Sequence, residues 1–215
     1  MTAYTPLNAL PYPQSTDTAN LPLHFQSMAE AIDSRTVLRF ATAAARDAAI
    51  TTPAAGMVAW LSTPGQLTHY TGTLWAPVAP VPVFKSNNDA GTTVSTTAVE
   101  VLTDSSTTAV TAAFTAPPTG QVIVALGAYM YSSAAYGSYM SATVYKASDK
   151  SVFLASSQDR AAVVNSTNRA SCSTQFLVTG LTPGTVYNAV PCFWSANAAN
   201  TATFDTMFIR VDPVL

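Results

Sequence analysis

Cys172 and Cys192 are the two cysteines of the 215-residue chain. A hairpin turning at Leu181-Thr182-Pro183 pairs Gly180 with Gly184 and Val178 with Val186. That register sets Cys172 opposite Cys192, on an apolar face shared with Phe176, Val190 and Trp194. Directly opposed residues have Cβ atoms about 4.5 to 5.5 Å apart, near disulfide reach. Two readings stay open: a disulfide, or two buried thiols acting as small hydrophobes, which a reducing cytoplasm favours. Further metal ligands are missing near them in sequence, and His24 and His69 lack a paired spacing, so neither metal nor cofactor is expected.

Catalysis finds little to work with. The chain has no G-x-S-x-G elbow to hold a nucleophilic serine beside a histidine. Glu30 and Glu100 are its only glutamates, whereas glycoside hydrolysis needs two carboxyls poised across a cleft. Asp104, Asp149, Asp159 and Asp205 fall in or beside loops and strand ends, where aspartate commonly forms turns. The expectation is a protein without enzymatic activity, and a cell-wall glycan hydrolase is the weakest of three readings.

The segment Tyr129-Met-Tyr-Ser-Ser-Ala-Ala-Tyr-Gly-Ser-Tyr139 has a different character. Tyr129, Tyr131, Tyr136 and Tyr139 sit among Ser, Ala and Gly, the composition of recognition loops, because tyrosine joins a rigid apolar ring to a polar tip. These rings either form a stacking platform for sugars or pack between strands and subunits. Asn165, Asn168 and Arg169 add exposed polar candidates for the same receptor or ligand site.

The elements that must position these residues change in type along the chain. Pro6, Pro11 and Pro13 make residues 1 to about 20 an extended arm. Pro22 suits a first helical position, and Phe25, Met28, Ala29 and Ile32 follow at helical spacing to about Ser34. Thr42 caps a second helix running to Ile50. Gly56 to Gly72 reads as a β-hairpin turning at Thr63-Pro64-Gly65 and closed by Trp75. Pro77, Pro80 and Pro82 then stiffen a linker. Beyond it, eight strands are expected near 98 to 103, 107 to 115, 121 to 131, 139 to 147, 151 to 157, 170 to 179, 185 to 194 and 203 to 211. That spacing predicts a mainly β chain: an N-terminal region at 1–80, then an antiparallel, jelly-roll-like β-sandwich at 81–215.

Charged residues are 9% of the chain against an ordinary level of about 25%. A surface so poor in charge, and a strand 121 to 131 apolar on both faces, predict cover by other copies, with a homotrimer the expected assembly. The net charge of −2 is spread evenly with no basic run, which excludes nucleic acid as a partner. No apolar stretch reaches the roughly 20 residues of a spanning helix, so membrane insertion is not expected. The start MTAYTPLNALPYPQ lacks a secretory pattern, so synthesis and folding in a cytoplasm are expected.

Three phrases within the first 75 residues carry a family resemblance. They are Leu10-Pro-Tyr-Pro-Gln-Ser-Thr-Asp17 with Met28-Ala-Glu-Ala-Ile-Asp33, then Phe40-Ala-Thr-Ala-Ala-Ala-Arg-Asp-Ala-Ala-Ile50, then the Gly56 to Trp75 hairpin with Tyr70-Thr-Gly72. In order and spacing they resemble minor tail and tail-fibre proteins of tailed bacteriophages, especially those infecting actinobacteria. The resemblance implies a virion protein assembled in the host cytoplasm. Its N-terminal region would dock onto tail or baseplate proteins and trimerise, and its C-terminal head would bind a bacterial surface receptor. A capsid decoration or head-fibre protein is the alternative. The phrase Gly180-Leu-Thr-Pro-Gly-Thr-Val-Tyr187 resembles turns of phage sandwich heads and fibronectin-like modules alike. No collagen, heptad or β-helix period marks a long shaft.

Overall fold

A computed structural model describes residues 3–4, 10–14, 16–17, 20–33, 36–79, 81–103 and 110–214. The chain divides into two compact units, Met1–Ala79 and Pro80–Leu215.

In the first unit, β1 (Ala3–Tyr4) pairs antiparallel with β2 (Pro11–Tyr12), so the arm turns back on itself. Helix α1 (Leu21–Asp33) starts where the Asn20 side chain accepts from the Leu23 amide at 3.2 Å, with Pro22 in the first turn. Its stripe of Leu21, Phe25, Met28 and Ile32 is exposed. After β3 (Leu38–Phe40), α2 (Ala43–Ala49) starts at Thr42, whose hydroxyl accepts from the Ala45 amide at 3.2 Å. The hairpin of β4 (Val58–Leu61) and β5 (Gln66–Tyr70) forms about Thr63-Pro64-Gly65, with Gly65 at φ +83°. β6 (Trp75–Pro77) completes a sheet ordered β3-β4-β5-β6.

Arg46 ties this unit together. Its guanidinium lies 4.4 Å from the centre of the Trp75 ring, donates to Asp47 at 2.8 and 2.9 Å and donates to the Thr68 hydroxyl at 3.3 Å. Thr68 in turn donates to the Ala59 carbonyl at 3.0 Å. A buried arginine is tolerable when its donors find acceptors and its face finds a ring. Arg46, Asp47 and Trp75 all fall within the phrases that carry the family resemblance.

The second unit is a two-sheet sandwich. Its strands are β7 (Val83–Asn87), β8 (Gly91–Thr93), β9 (Ala112–Thr115), β10 (Val122–Ser132), β11 (Ser138–Lys146), β12 (Val152–Leu154), β13 (Ala162–Val164), β14 (Ala170–Val178), β15 (Val186–Ser195) and β16 (Ala202–Pro213). One sheet runs β14-β10-β16-β7 with β8 also on β16; the other runs β12-β11-β15-β9 with β13 also on β11. Val122, Val124, Leu126, Phe204 and Ile209 from the first meet Met140, Val144, Tyr187 and Phe193 from the second. Burying each such side chain contributes about 1.5 to 3 kcal/mol. The Phe193 and Phe204 rings touch across the interface at 4.9 Å.

The expected mainly β architecture is present, but three expectations need correction. The stretch 98 to 103 makes only isolated bridges, Val99 to Phe193 and Thr103 to Thr92. Of the stretch 107 to 115, β9 holds the end, and residues 104–109, Asp104 included, lie outside those described. β7, β8 and β13 are strands that sequence patterning missed; they have three to five residues each, too few for an alternation to stand out.

The third correction concerns the cysteines. β14 and β15 form no hairpin: β14 pairs with β10, and β15 pairs with β11 and β9 in the opposite sheet. The connection is an arch. Leu181 is buried and donates its amide to the Gly120 carbonyl at 3.0 Å, while Gly184, at φ +76°, donates to Ala116 at 3.0 Å. These anchors span both sheets, where a tight turn would join one. Phe176 and Val178 do point toward the core, but on β15 it is Tyr187, Ala189 and Phe193 that do so. Val190, Cys192 and Trp194 occupy the opposite face and are buried there as well. β15 is therefore buried on both sides, and hydrophobicity could not tell its faces apart.

Candidate functional site

Cys172 and Cys192 are free thiols in opposite sheets, so neither a disulfide nor a thiol pair exists. Cys192 is buried beside the Thr143 hydroxyl at 3.2 Å, and burial pushes its thiol pKa up. Cys172 is half-buried on the edge strand β14.

The four tyrosines do not converge. Tyr139 stacks on Trp194, rings 5.2 Å apart and 2° from parallel, on the outer face of the β12-β11-β15-β9 sheet. Gly137 makes room for this, since a Cβ there would meet the Tyr139 ring at 2.4 Å. Tyr136 is exposed in the loop between the two sheets. Tyr129 and Tyr131 lie on β10 in the other sheet. Asn165 and Asn168 are exposed in the β13–β14 turn, whose Ser166 carbonyl accepts from the Ser132 amide at 2.9 Å. Arg169, at the end of that turn, lays its guanidinium 4.5 Å over the Tyr129 ring and pairs with Asp205.

The outer face of the β14-β10-β16-β7 sheet thus gathers Tyr129, Tyr131 and Arg169, and register supplies their neighbours. Leu177, Ile123 and Asp212 form one row across the strands; Gln175, Ala125, Arg210 and Phe84 form the next. Ser173, Gly127, Phe208 and Ser86 form a third, and Ser171, Tyr129 and Asp205 a fourth. Phe84 and Phe208 stack at 5.9 Å and 15° from parallel. Arg210 donates to Asp212 at 2.6 and 2.8 Å. Gly127 is required here: a Cβ would sit 2.9 Å from the Phe208 ring and 2.7 Å from the Cys172 carbonyl. Without that Cβ the Phe208 ring lies down on β10.

A bulge aims this surface. Between Gly127 and Tyr129 the β16 partner moves from Phe208 to Asp205, leaving an extra residue at Thr206, with φ +49°. On one side of it Phe204 faces the core; on the other, Met207, Ile209 and Val211 do. Phe208, Arg210 and Asp212 face outward as a result. The period-2 order Phe208-x-Arg210-x-Asp212 was readable as one face, but its neighbours Phe84, Gln175 and Tyr129 depend on pairings the sequence does not display.

The two glutamates fall in different units. Glu30 is on α1, bonded by Gln26 at 2.8 Å, and Glu100 belongs to the second unit, where the Tyr145 hydroxyl donates to it. That bond pushes the Tyr145 pKa up to about 12. His24 is on α1 and His69 on β5. Among the described residues no group of three or more His, Cys, Asp or Glu side chains could hold a metal, and no helix is long and apolar enough to cross a membrane.

No family model and no curated protein sequence matches the chain. Among solved structures it is similar to a chain of infectious bursal disease virus, Gx strain, at 9% identity and TM-score 0.35 over 67% of this chain and 36% of that one. It is also similar to the CBM22-1-GH10 modules of endo-1,4-β-D-xylanase 10B from Clostridium thermocellum, at 7% identity and TM-score 0.33 over 62% and 28%. A third is the CBM22-1 xylan-binding domain of Paenibacillus barcinonensis Xyn10C, at 9% identity and TM-score 0.30 over 62% and 88%. The chain spans well under half the length of the first two.

Proposed function

We propose that this chain is a non-enzymatic structural protein of a tailed-phage virion, a tail-fibre or tail-tip component. Its first unit docks onto other virion proteins and trimerises, and its sandwich binds a receptor on the bacterial surface. The observation that carries this reading is the outer face of the β14-β10-β16-β7 sheet. There exposed rings alternate with hydrogen-bonding side chains on a rigid support, which is how a recognition surface differs from a solvated sheet face. The phrases at Leu10, Phe40 and Gly56 support the phage assignment, and the Arg46–Trp75 contact gives two of them a shared structural purpose. A charge-poor chain with an exposed apolar stripe on α1 supports assembly into a larger body.

Immunogold labelling of virions carrying this protein tests the reading. Gold at the tail or its tip is the expected result. Gold over the capsid would replace it with a decoration or head-fibre role, and unlabelled virions would remove both.

A further inference from the structure

We infer that the outer face of the β14-β10-β16-β7 sheet binds an uncharged sugar chain, an inference that rests on reading the sandwich as a receptor-binding unit. Three features select that ligand. The first is electrostatic. Arg169 is paired with Asp205 and Arg210 with Asp212, so the cations of this face are neutralised within it. An anionic ligand would have to displace a carboxylate already in place, and a cationic one a guanidinium. Each pair still has hydrogen-bonding capacity to spare: Arg210 commits two of its five N–H groups to one oxygen of Asp212. Neighbouring hydroxyls of a sugar, each both donor and acceptor, match such a fixed donor–acceptor pair.

The second feature is the arrangement of flat surfaces. The Phe84–Phe208 stack and the Tyr129–Arg169 stack present planar groups on neighbouring rows of the same sheet face. Gly127 lets the Phe208 ring lie on β10 beside Tyr129, and Ala125 keeps the next row low. A pyranose has an apolar face of C–H groups and a polar rim. Laid on these rings, its rim reaches Gln175, Ser171 and Ser173 on one side and the Arg210–Asp212 pair on the other.

The third feature argues against a protein partner. The centres of protein–protein interfaces are depleted in Ser, Ala and Asp. This face carries Ser171, Ser173, Ala125, Asp205 and Asp212 among its rings.

The experiment is affinity electrophoresis of the full chain in gels containing dextran, galactomannan, arabinogalactan or mixed-linkage β-glucan, with hyaluronan as the anionic counterpart. At least one neutral polysaccharide should retard the protein. Phe84→Ala and Tyr129→Ala, both at exposed rings, should each weaken that retardation about tenfold. Phe153→Ala, on a strand of the other sheet, should leave it unchanged. No retardation by any neutral polymer, retardation by hyaluronan alone, or undiminished retardation of the Phe84→Ala, Tyr129→Ala double variant each overturns the inference. So does a mass that rises with concentration and falls to a constant value in Phe84→Ala, because the occupant would then be a second copy. Tail labelling without polysaccharide binding defeats this inference alone; polysaccharide binding with capsid labelling defeats the tail assignment alone.

Discussion

The two cysteines differ in what surrounds them, and that difference is measurable. Cys192 is buried with its thiol pKa raised, whereas Cys172 is half-buried on an edge strand. A thiol reagent should therefore modify one group per native chain, Cys172, and a second only on unfolding. Reductant should change neither count, and a requirement for it would contradict the separation of the two residues. Tyr145 offers a second test. Its hydroxyl donates to the Glu100 carboxylate, which lifts its pKa from 10.0 to about 12. The native state then holds a proton that the unfolded chain releases above pH 10, so the stabilisation is whole below pH 10 and fades as pH rises toward 12. Wild type should lose stability across that window relative to Tyr145→Phe, and the absorbance difference between the two should titrate near 12. A midpoint near 10 would mean the bond to Glu100 does not persist in solution.

Local signals decided how well each element could be read. The start of α2 was legible because Thr42 is a capping residue immediately before an alanine-rich run, and its hydroxyl does cap. The β4–β5 hairpin was legible because Thr63-Pro64-Gly65 sits between two alternating strands. The partners of β14 and β15 were not. Both strands lead into a Gly-Leu-Thr-Pro-Gly turn phrase, and a hairpin and an arch share that local chemistry; burial of Leu181 between the sheets decides between them. The same limit hid most of the candidate site, since Phe84 and Phe208 are over a hundred residues apart and meet only through the β16–β7 ladder. The bulge at Thr206 gives this level its test. A β-branched residue at φ +49° is strained by about 1 to 2 kcal/mol, so Thr206→Gly should raise the urea midpoint. Deleting Thr206 should not lower it, because Met207 would then follow Asp205 opposite Ala128 in unbroken alternation, and Met207, Ile209 and Val211 would keep facing the core. A lower midpoint for Thr206→Gly would show that the positive φ at Thr206 carries no strain.

At the scale of the whole molecule, α1 carries the clearest sign of assembly. Leu21, Phe25, Met28 and Ile32 recur at intervals of four, three and four residues and are all exposed. That is the spacing of a short coiled-coil seam, and the prediction is that copies of the helix bury the stripe together. Light scattering of the intact protein should return the mass of three chains, and Phe25→Asp with Met28→Asp should return that of one. A single-chain mass for wild type would remove the trimer. A fragment starting at Pro82 should keep β-type circular dichroism, because every side chain of the sandwich core comes from Val83 or later. A disordered spectrum would show that the sandwich needs the preceding residues. The division into two units has a hereditary side. A gene exchange falling in the codons for residues 77–82 would cut through no core, so descendants could acquire a different second unit in one event and keep the first intact. Selection could then change the sandwich wholesale as well as residue by residue, with the proline-rich junction as the boundary between what is kept and what is exchanged.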